Sequence, residues 1–273
     1  MKTVVITDPL NGFGLELASD LARAGYFIIG MVNNSSEVEL VKKTIKTRYK
    51  FANIEVFVGD FFNVRDLRQA ILNIKLILTE NNLDGLYALV CNRHMFSDIY
   101  ELQEDKIEVQ FFENFLINLM LATYLEPLLL KFENSRILFP TVESKYFVDF
   151  NFKDKFKENK YVGYEVFAQS KMLNLMIANV WNKKHEQVKI ISFIDRYITS
   201  GKFLHEDKPQ RRIFKSSEMD KIRQGIVAII NLPKITDFKY KYNKPINEKL
   251  PLSKEKQLEQ LWDLSIELGH LKY

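Results

Sequence analysis

Short unbroken apolar runs alternate along the chain with longer stretches in which apolar residues recur every three or four positions. The runs at residues 3–7, 27–32, 54–58, 85–90, 136–139 and 189–194 predict strands. They are continuous rather than alternating, as expected when helices cover both faces of a parallel sheet. The helical spacing predicts helices over residues 12–24, 37–49, 64–80, 106–132 and 164–184, with two more at 218–230 and 254–268. This βαβ rhythm implies an α/β fold: a doubly wound parallel sheet of Rossmann type in three α/β/α layers. With no internal repeat, low-complexity tract or linker, residues 1–273 are expected to form one domain. The least regular stretch, residues 199–217, is polar and basic (Lys202, Lys208, Arg211, Arg212, Lys215). Ligands of doubly wound sheets bind beyond the carboxyl ends of the strands, so this stretch is expected to be a lid or substrate loop.

Composition narrows the picture. A 273-residue chain with 47% hydrophobic and 27% charged residues can bury a large core, and its net charge is only +4. Acidic and basic residues are mixed throughout, which gives no basis for expecting nucleic acid as a partner. Cys91 is the one cysteine and lies in an apolar run, so a buried structural thiol is expected. His94, His185, His205 and His270 show no metal-ligand spacing, so no metal is expected. The longest apolar stretch, residues 115–130, is interrupted by Asn118, Glu126 and Pro127. It falls short of the roughly 18–20 apolar residues of a membrane span. Met1-Lys2 leads straight into an apolar strand, so no secretory leader is expected and the setting is read as cytoplasmic.

The first strand runs into Thr7-Asp8-Pro9-Leu10-Asn11-Gly12-Phe13-Gly14 and then a helix. Glycines at such a junction let backbone approach a pyrophosphate at a helix N-terminus. Gly12 and Gly14 suit that role, while Asp8 puts a carboxylate where the first tight-turn glycine is expected. A capped helix following a strand would need only Asp8 or Asn11 as its cap.

In order along the chain, these motifs resemble the short-chain dehydrogenase/reductase family, in its classical branch and nearest its retinol-dehydrogenase-like members. Thr7, Gly12 and Gly14 match the family's Thr-Gly-x3-Gly-x-Gly loop, with Asp8 in place of the first glycine. Asp60 matches the aspartate that holds the adenine ring. Cys91-Asn92-Arg93-His94 stands where the family has Asn-Asn-Ala-Gly. Residues 110–114 with Pro127 resemble the long interface helix and put Asn114 at the active-site asparagine. Residues 258–265 resemble the closing helix of the retinol-dehydrogenase-like members. The resemblance implies that Thr7, Asn11, Gly12, Gly14, Asp60 and Asn92 would be the cofactor-binding positions. NADP or NAD would be the cofactor if there is one, with binding weakened or lost. Asn33-Asn34, after the second strand, supplies neither the acid that reads a ribose hydroxyl nor the arginine that reads a 2′-phosphate.

The family's catalytic tyrosine and serine are missing. In Phe167-Ala168-Gln169-Ser170-Lys171 the lysine stands, but phenylalanine occupies the tyrosine position. Residues 136–142 resemble the strand that ends in the catalytic serine, and Val142 takes its place. A phenyl ring has no proton to give and valine has no hydroxyl. Loss of a general acid alone lowers rates by about 10²–10⁴. The reading is a non-catalytic, pseudoenzyme scaffold that binds a small molecule or a partner. The alternative is an atypical NAD(P)-dependent oxidoreductase acting on a carbonyl, alcohol or C=C substrate. There Tyr164 would be the acid/base with Lys171 and Asn114, because Tyr164 lies two helical turns before Lys171. That spacing is similar to the enoyl reductases of fatty-acid synthesis, and Tyr161 is a further hydroxyl. The helices at 106–132 and 164–184 carry more apolar surface than one sheet face can cover. A homodimer, or a heterodimer with a related reductase, is therefore expected through them.

Overall fold

A computed structural model describes residues 1–59, 63–144, 147, 150–194, 216–246 and 255–271. Asp60 and residues 199–215 of the stretch expected to form a lid lie outside the described residues, while Ser216 and Ser217 begin a helix instead of closing a loop.

The sheet runs in the order β3-β2-β1-β4-β5-β6-β7-β8. Its central strands are β1 (Thr3–Thr7), β2 (Phe27–Val32), β3 (Ile54–Val58), β4 (Ala88–Val90), β5 (Arg136–Thr141) and β6 (Lys189–Ile194). All pair in parallel, with Ile6 opposite Gly30 on one side and Val90 on the other. The short β7 (Lys239–Lys241) continues the parallel order, and β8 (Lys244–Pro245) folds back antiparallel to it. Those two strands escape the hydrophobic pattern because they are short and lysine-rich. Residues 85–87 lie outside β4, where a Cβ on Gly85 would stand 2.4 Å from the Leu128 carbonyl oxygen.

The helices are α1 (Gly14–Arg23), α2 (Ser35–Arg48), α3 (Val64–Glu80), α4 (Val109–Phe111), α5 (Ile117–Leu129), α6 (Gly163–Lys184), α7 (Ser216–Asn231) and α8 (Glu255–Leu268). Side chains begin several of them where capping chemistry predicts. Asn34 accepts the Glu37 N–H at the start of α2, and Asn63 accepts the Asp66 N–H at the start of α3. Glu108, fully buried, accepts the Phe111 N–H at the start of α4. The helix expected at 106–132 is broken: a π-helical stretch, Phe112–Leu116, separates α4 from α5. Such insertions occur often at functional positions, and this one holds Asn114.

The alternation of each strand feeds two cores. Val4, Ile6, Ile28 and Val90 pack with residues of α1, α2 and α7 on one face. Val5, Ile29, Met31, Leu89, Ile137 and Phe139 pack with residues of α3 to α6 and α8 on the other. The surplus apolar surface expected on α5 and α6 is real, but this chain covers it. Leu258, Leu261 and Trp262 of α8 are buried, and Trp262 lies 6.4 Å from Trp181 of α6. A Cβ on Gly269, just past α8, would stand 3.2 Å from Met120 of α5. From the other end, Phe150 and Phe156 pack on Phe111, and Gln169 donates to the Lys155 carbonyl. Residues 166–178 of α6 are consequently buried within one chain.

Candidate functional site

The carboxyl ends of β1, β2 and β4 converge at the point where strand order reverses, between β1 and β4. Thr7 closes β1, and its hydroxyl oxygen accepts the backbone N–H groups of Asn92 (2.8 Å) and Arg93 (3.1 Å). Asn92 in turn donates its amide to the carbonyls of Asp8 (2.8 Å) and Asn11 (2.9 Å). The loop after β1 is therefore held by side chains of the strand next to it. Gly12 has φ 55°, in the left-handed region. Gly14 is needed for space, since a Cβ there would meet the Pro9 oxygen at 2.5 Å and Asn92 Nδ2 at 2.8 Å. Packing alone accounts for Gly14, so its presence does not by itself report a phosphate site.

Asp8 also adopts a glycine-like backbone, φ 46°. Burial pushes its carboxyl above the usual carboxylate range, and Glu37 adds to this while Arg93 opposes it. Arg93 extends from beyond β4 and donates through Nε and Nη2 to both carboxylate oxygens of Glu113. Its Nη1 donates to the Asn33 side-chain oxygen at the end of β2. The Asn33 backbone N–H is itself bonded to Glu37 at 2.9 Å. Sequence reading finds no arginine beside Asn33 because this one comes from a different strand, 60 residues away. In this arrangement the Arg93 guanidinium and the Asp8 carboxyl stand together at the end of β1, where a doubly wound sheet receives its ligand.

Farther along the same edge lie Val142, Phe167 and Lys171, the positions that resemble the family's catalytic groups. Val142 is buried at the end of β5, and Phe167 is buried on α6 with its ring edge-on to Phe96 at 5.9 Å. Lys171, one turn on and 1% exposed, has Nζ 3.2 Å from His94 Nδ1 and 5.6 Å from the Phe167 ring centre. Burial, then the Lys171 charge, hold the His94 pKa well below the ordinary imidazole value. A neutral His94 is therefore an acceptor for the ammonium.

Asn114 makes a closed pair with Met95: its amide donates to the Met95 carbonyl and its oxygen accepts the Met95 N–H, both at 2.8 Å. Its backbone carbonyl accepts the side-chain amides of Asn118 (2.8 Å) and Asn174 (2.9 Å). The π-helical stretch thus presents this carbonyl to two side chains, and Asn114 positions the loop carrying His94. Tyr164 stands on the first turn of α6 and is 39% exposed, in a different environment from buried Lys171. Tyr161 donates its hydroxyl to Glu108 at 2.8 Å and accepts from Gln110 at 2.6 Å. Burial, followed by Glu108, drives its pKa upward. Sequence reading did not single out Glu108 or Glu113. Among the described residues no group of His, Cys, Asp and Glu could hold a metal ion, and no helix is long and apolar enough to cross a membrane.

No family model matches the chain. Over 192 residues it is 26% identical to the WW domain-containing oxidoreductase of Gallus gallus, covering 67% of this chain and 45% of that one. It is 27% identical over 148 residues to the protein of the same name from Danio rerio, covering 54% and 35%. The chain spans less than half the length of these curated relatives. An uncharacterized protein from Mycobacterium paratuberculosis superposes with TM-score 0.76 at 18% identity, over 100% of this chain and 95% of that one. A short-chain dehydrogenase from Salmonella enterica gives 0.65 at 15% identity, over 89% and 96%. An Escherichia coli short-chain dehydrogenase solved with NADPH gives 0.53 at 18% identity, over 71% and 75%. The solved structures establish a Rossmann-type fold for this chain, and over part of its length the sequence is similar to those of the two curated oxidoreductases.

Proposed function

We propose that this chain is a short-chain dehydrogenase/reductase-like scaffold that performs no hydride transfer and serves as a binding module for a small molecule or partner. One observation carries the reading. The two positions that resemble the family's catalytic serine and tyrosine are Val142 and Phe167, both buried and without a hydroxyl. The pairing of Lys171 with His94 supports it, because the ammonium is bonded to the chain's own imidazole. Without an acid at Phe167, a developing alkoxide would have no proton source at that place.

A second reading keeps the oxidoreductase activity that the curated relatives' names carry. Tyr164 would then serve as acid/base, with Lys171 and Asn114, on a carbonyl, alcohol or C=C substrate. The exposure of Tyr164, two turns before Lys171, favours that version. NADP or NAD would be its cofactor, as the NADPH-bound E. coli neighbour suggests, after Arg93 had moved. The deciding experiment assays the wild type with NADH, NADPH, NAD and NADP against aldehydes, ketones, alcohols and enoyl substrates. No turnover is expected. Turnover that Tyr164→Phe abolishes without unfolding the protein would overturn the scaffold reading and make Tyr164 the acid.

A further inference from the structure

The strand order β2-β1-β4 puts Asn33, Asp8 and Arg93 at the carboxyl ends of three neighbouring strands, each within three residues of its strand's end. Adjacent strands lie about 4.8 Å apart, so β2 and β4 are separated by roughly 10 Å, within reach of one arginine side chain. Arg93 makes that crossing. It leaves β4, meets Glu113 with Nε and Nη2, and reaches Asn33 beyond β2 with Nη1. Its guanidinium therefore spans the end of β1, the place where a doubly wound sheet receives its ligand. We propose that Arg93 decides what this cleft admits: locked to Glu113 and Asn33 above Asp8, it holds the course of the pyrophosphate and keeps NAD(P) out. The inference deepens the reading of the chain as a scaffold without hydride transfer and rests on it.

The bonding favours a fixed plug over a surface arginine that a nucleotide could sweep aside. The Arg93 side chain is 16% exposed and that of Glu113 is 7% exposed, so both charges have lost most of their water. A bidentate guanidinium–carboxylate pair in that setting is strong and directional. Phosphate oxygens would have to replace Glu113 as the partner and would leave its carboxylate buried without one. They would also approach Asp8, which adds a second acid to the route. Thr7 and Asn92 hold the backbone around Arg93 and the loop after β1, so the root of the side chain is fixed as well.

The experiment measures NADH and NADPH binding by calorimetry and thermal shift. It compares wild type with Arg93→Ala/Glu113→Gln and with Asp8→Gly/Arg93→Ala/Glu113→Gln. The Glu113→Gln change avoids a buried unpaired carboxylate, and far-UV circular dichroism checks that each variant folds. If the double variant fails to fold, Arg93→Gln answers the same question. The opened variants are expected to bind at least one dinucleotide about tenfold or more tightly than wild type, with the largest gain in the triple variant. Wild type binding as tightly as the folded opened variants, or no gain in any of them, overturns the proposal. Turnover by the wild type would overturn both this exclusion and the functional reading, whereas tight wild-type binding without turnover would overturn the exclusion alone. A gain in binding without turnover leaves both standing.

Discussion

Lys171 Nζ lies 3.2 Å from His94 Nδ1, joining a buried lysine of α6 to an imidazole on the loop beyond β4. An ammonium placed beside a neutral ring has an acceptor that water would otherwise supply. The pair therefore makes the fold sensitive to the protonation of His94.

The first prediction is a loss of stability on acidification. Folding holds the His94 pKa well below 6.5 through burial and the Lys171 charge. Below an unfolded-state value of about 6.5 the unfolded chain binds a proton that the native chain refuses. Stability is therefore full above that pH and falls as pH drops toward the folded value, by at most about 1.4 kcal/mol per pH unit from this one group. Denaturant melts at pH 7.0, 6.0 and 5.0 should show the decline. In His94→Gln the slope over that range should be shallower by up to one proton.

A second prediction contrasts Asp8, left-handed in the loop after β1, with Gly14, the crowded first residue of α1. Asp8→Gly should raise stability by about 1 kcal/mol. It removes a side chain from a left-handed backbone and a carboxyl from a buried place, offset partly by the entropy of a new glycine. Gly14→Ala should lower stability by about 2 kcal/mol or more, because the new methyl meets the Pro9 carbonyl at 2.5 Å. Shifts of opposite sign in urea denaturation, the larger in Gly14→Ala, would support this account. A tolerated Gly14→Ala would contradict it.

Third, Asn114→Ala should loosen the loop beyond β4 before it unfolds the protein. Asn114 is the side chain that both donates to and accepts from Met95. Loss of two buried hydrogen bonds lowers stability by about 2–4 kcal/mol. Hydrogen exchange should quicken first at Met95 and its neighbours. Uniform quickening across the sheet would mean that Asn114 does no local positioning.

The fourth prediction concerns assembly. With α8 and Phe150–Phe156 covering α5 and α6, sedimentation velocity of the isolated chain should give one protomer. Replacing both Leu261 and Trp262 with Ala should strip apolar cover from α6 and induce self-association. A wild-type dimer would show that pairing uses another surface or displaces α8.

The doubly wound sheet was legible along the chain because its signals are local. Unbroken apolar runs mark strands buried on both faces, three-to-four spacing marks the helices, and parallel connections of one hand leave few orders in which to place them. The absence of hydroxyls at Val142 and Phe167 was equally plain, since it depends on residue identity and register alone. The partners of Arg93 could not be read that way. Glu113 and Asn33 lie 20 and 60 residues from Arg93, and Asn92 reaches a loop more than 80 residues away. Nothing in the local pattern selects those partners, because a charged side chain at a strand end satisfies the pattern whichever way it points. The cover over α5 and α6 came from α8, at the far end of the chain, for the same reason: an apolar stripe records that something must bury it, and only the assembled fold decides what does.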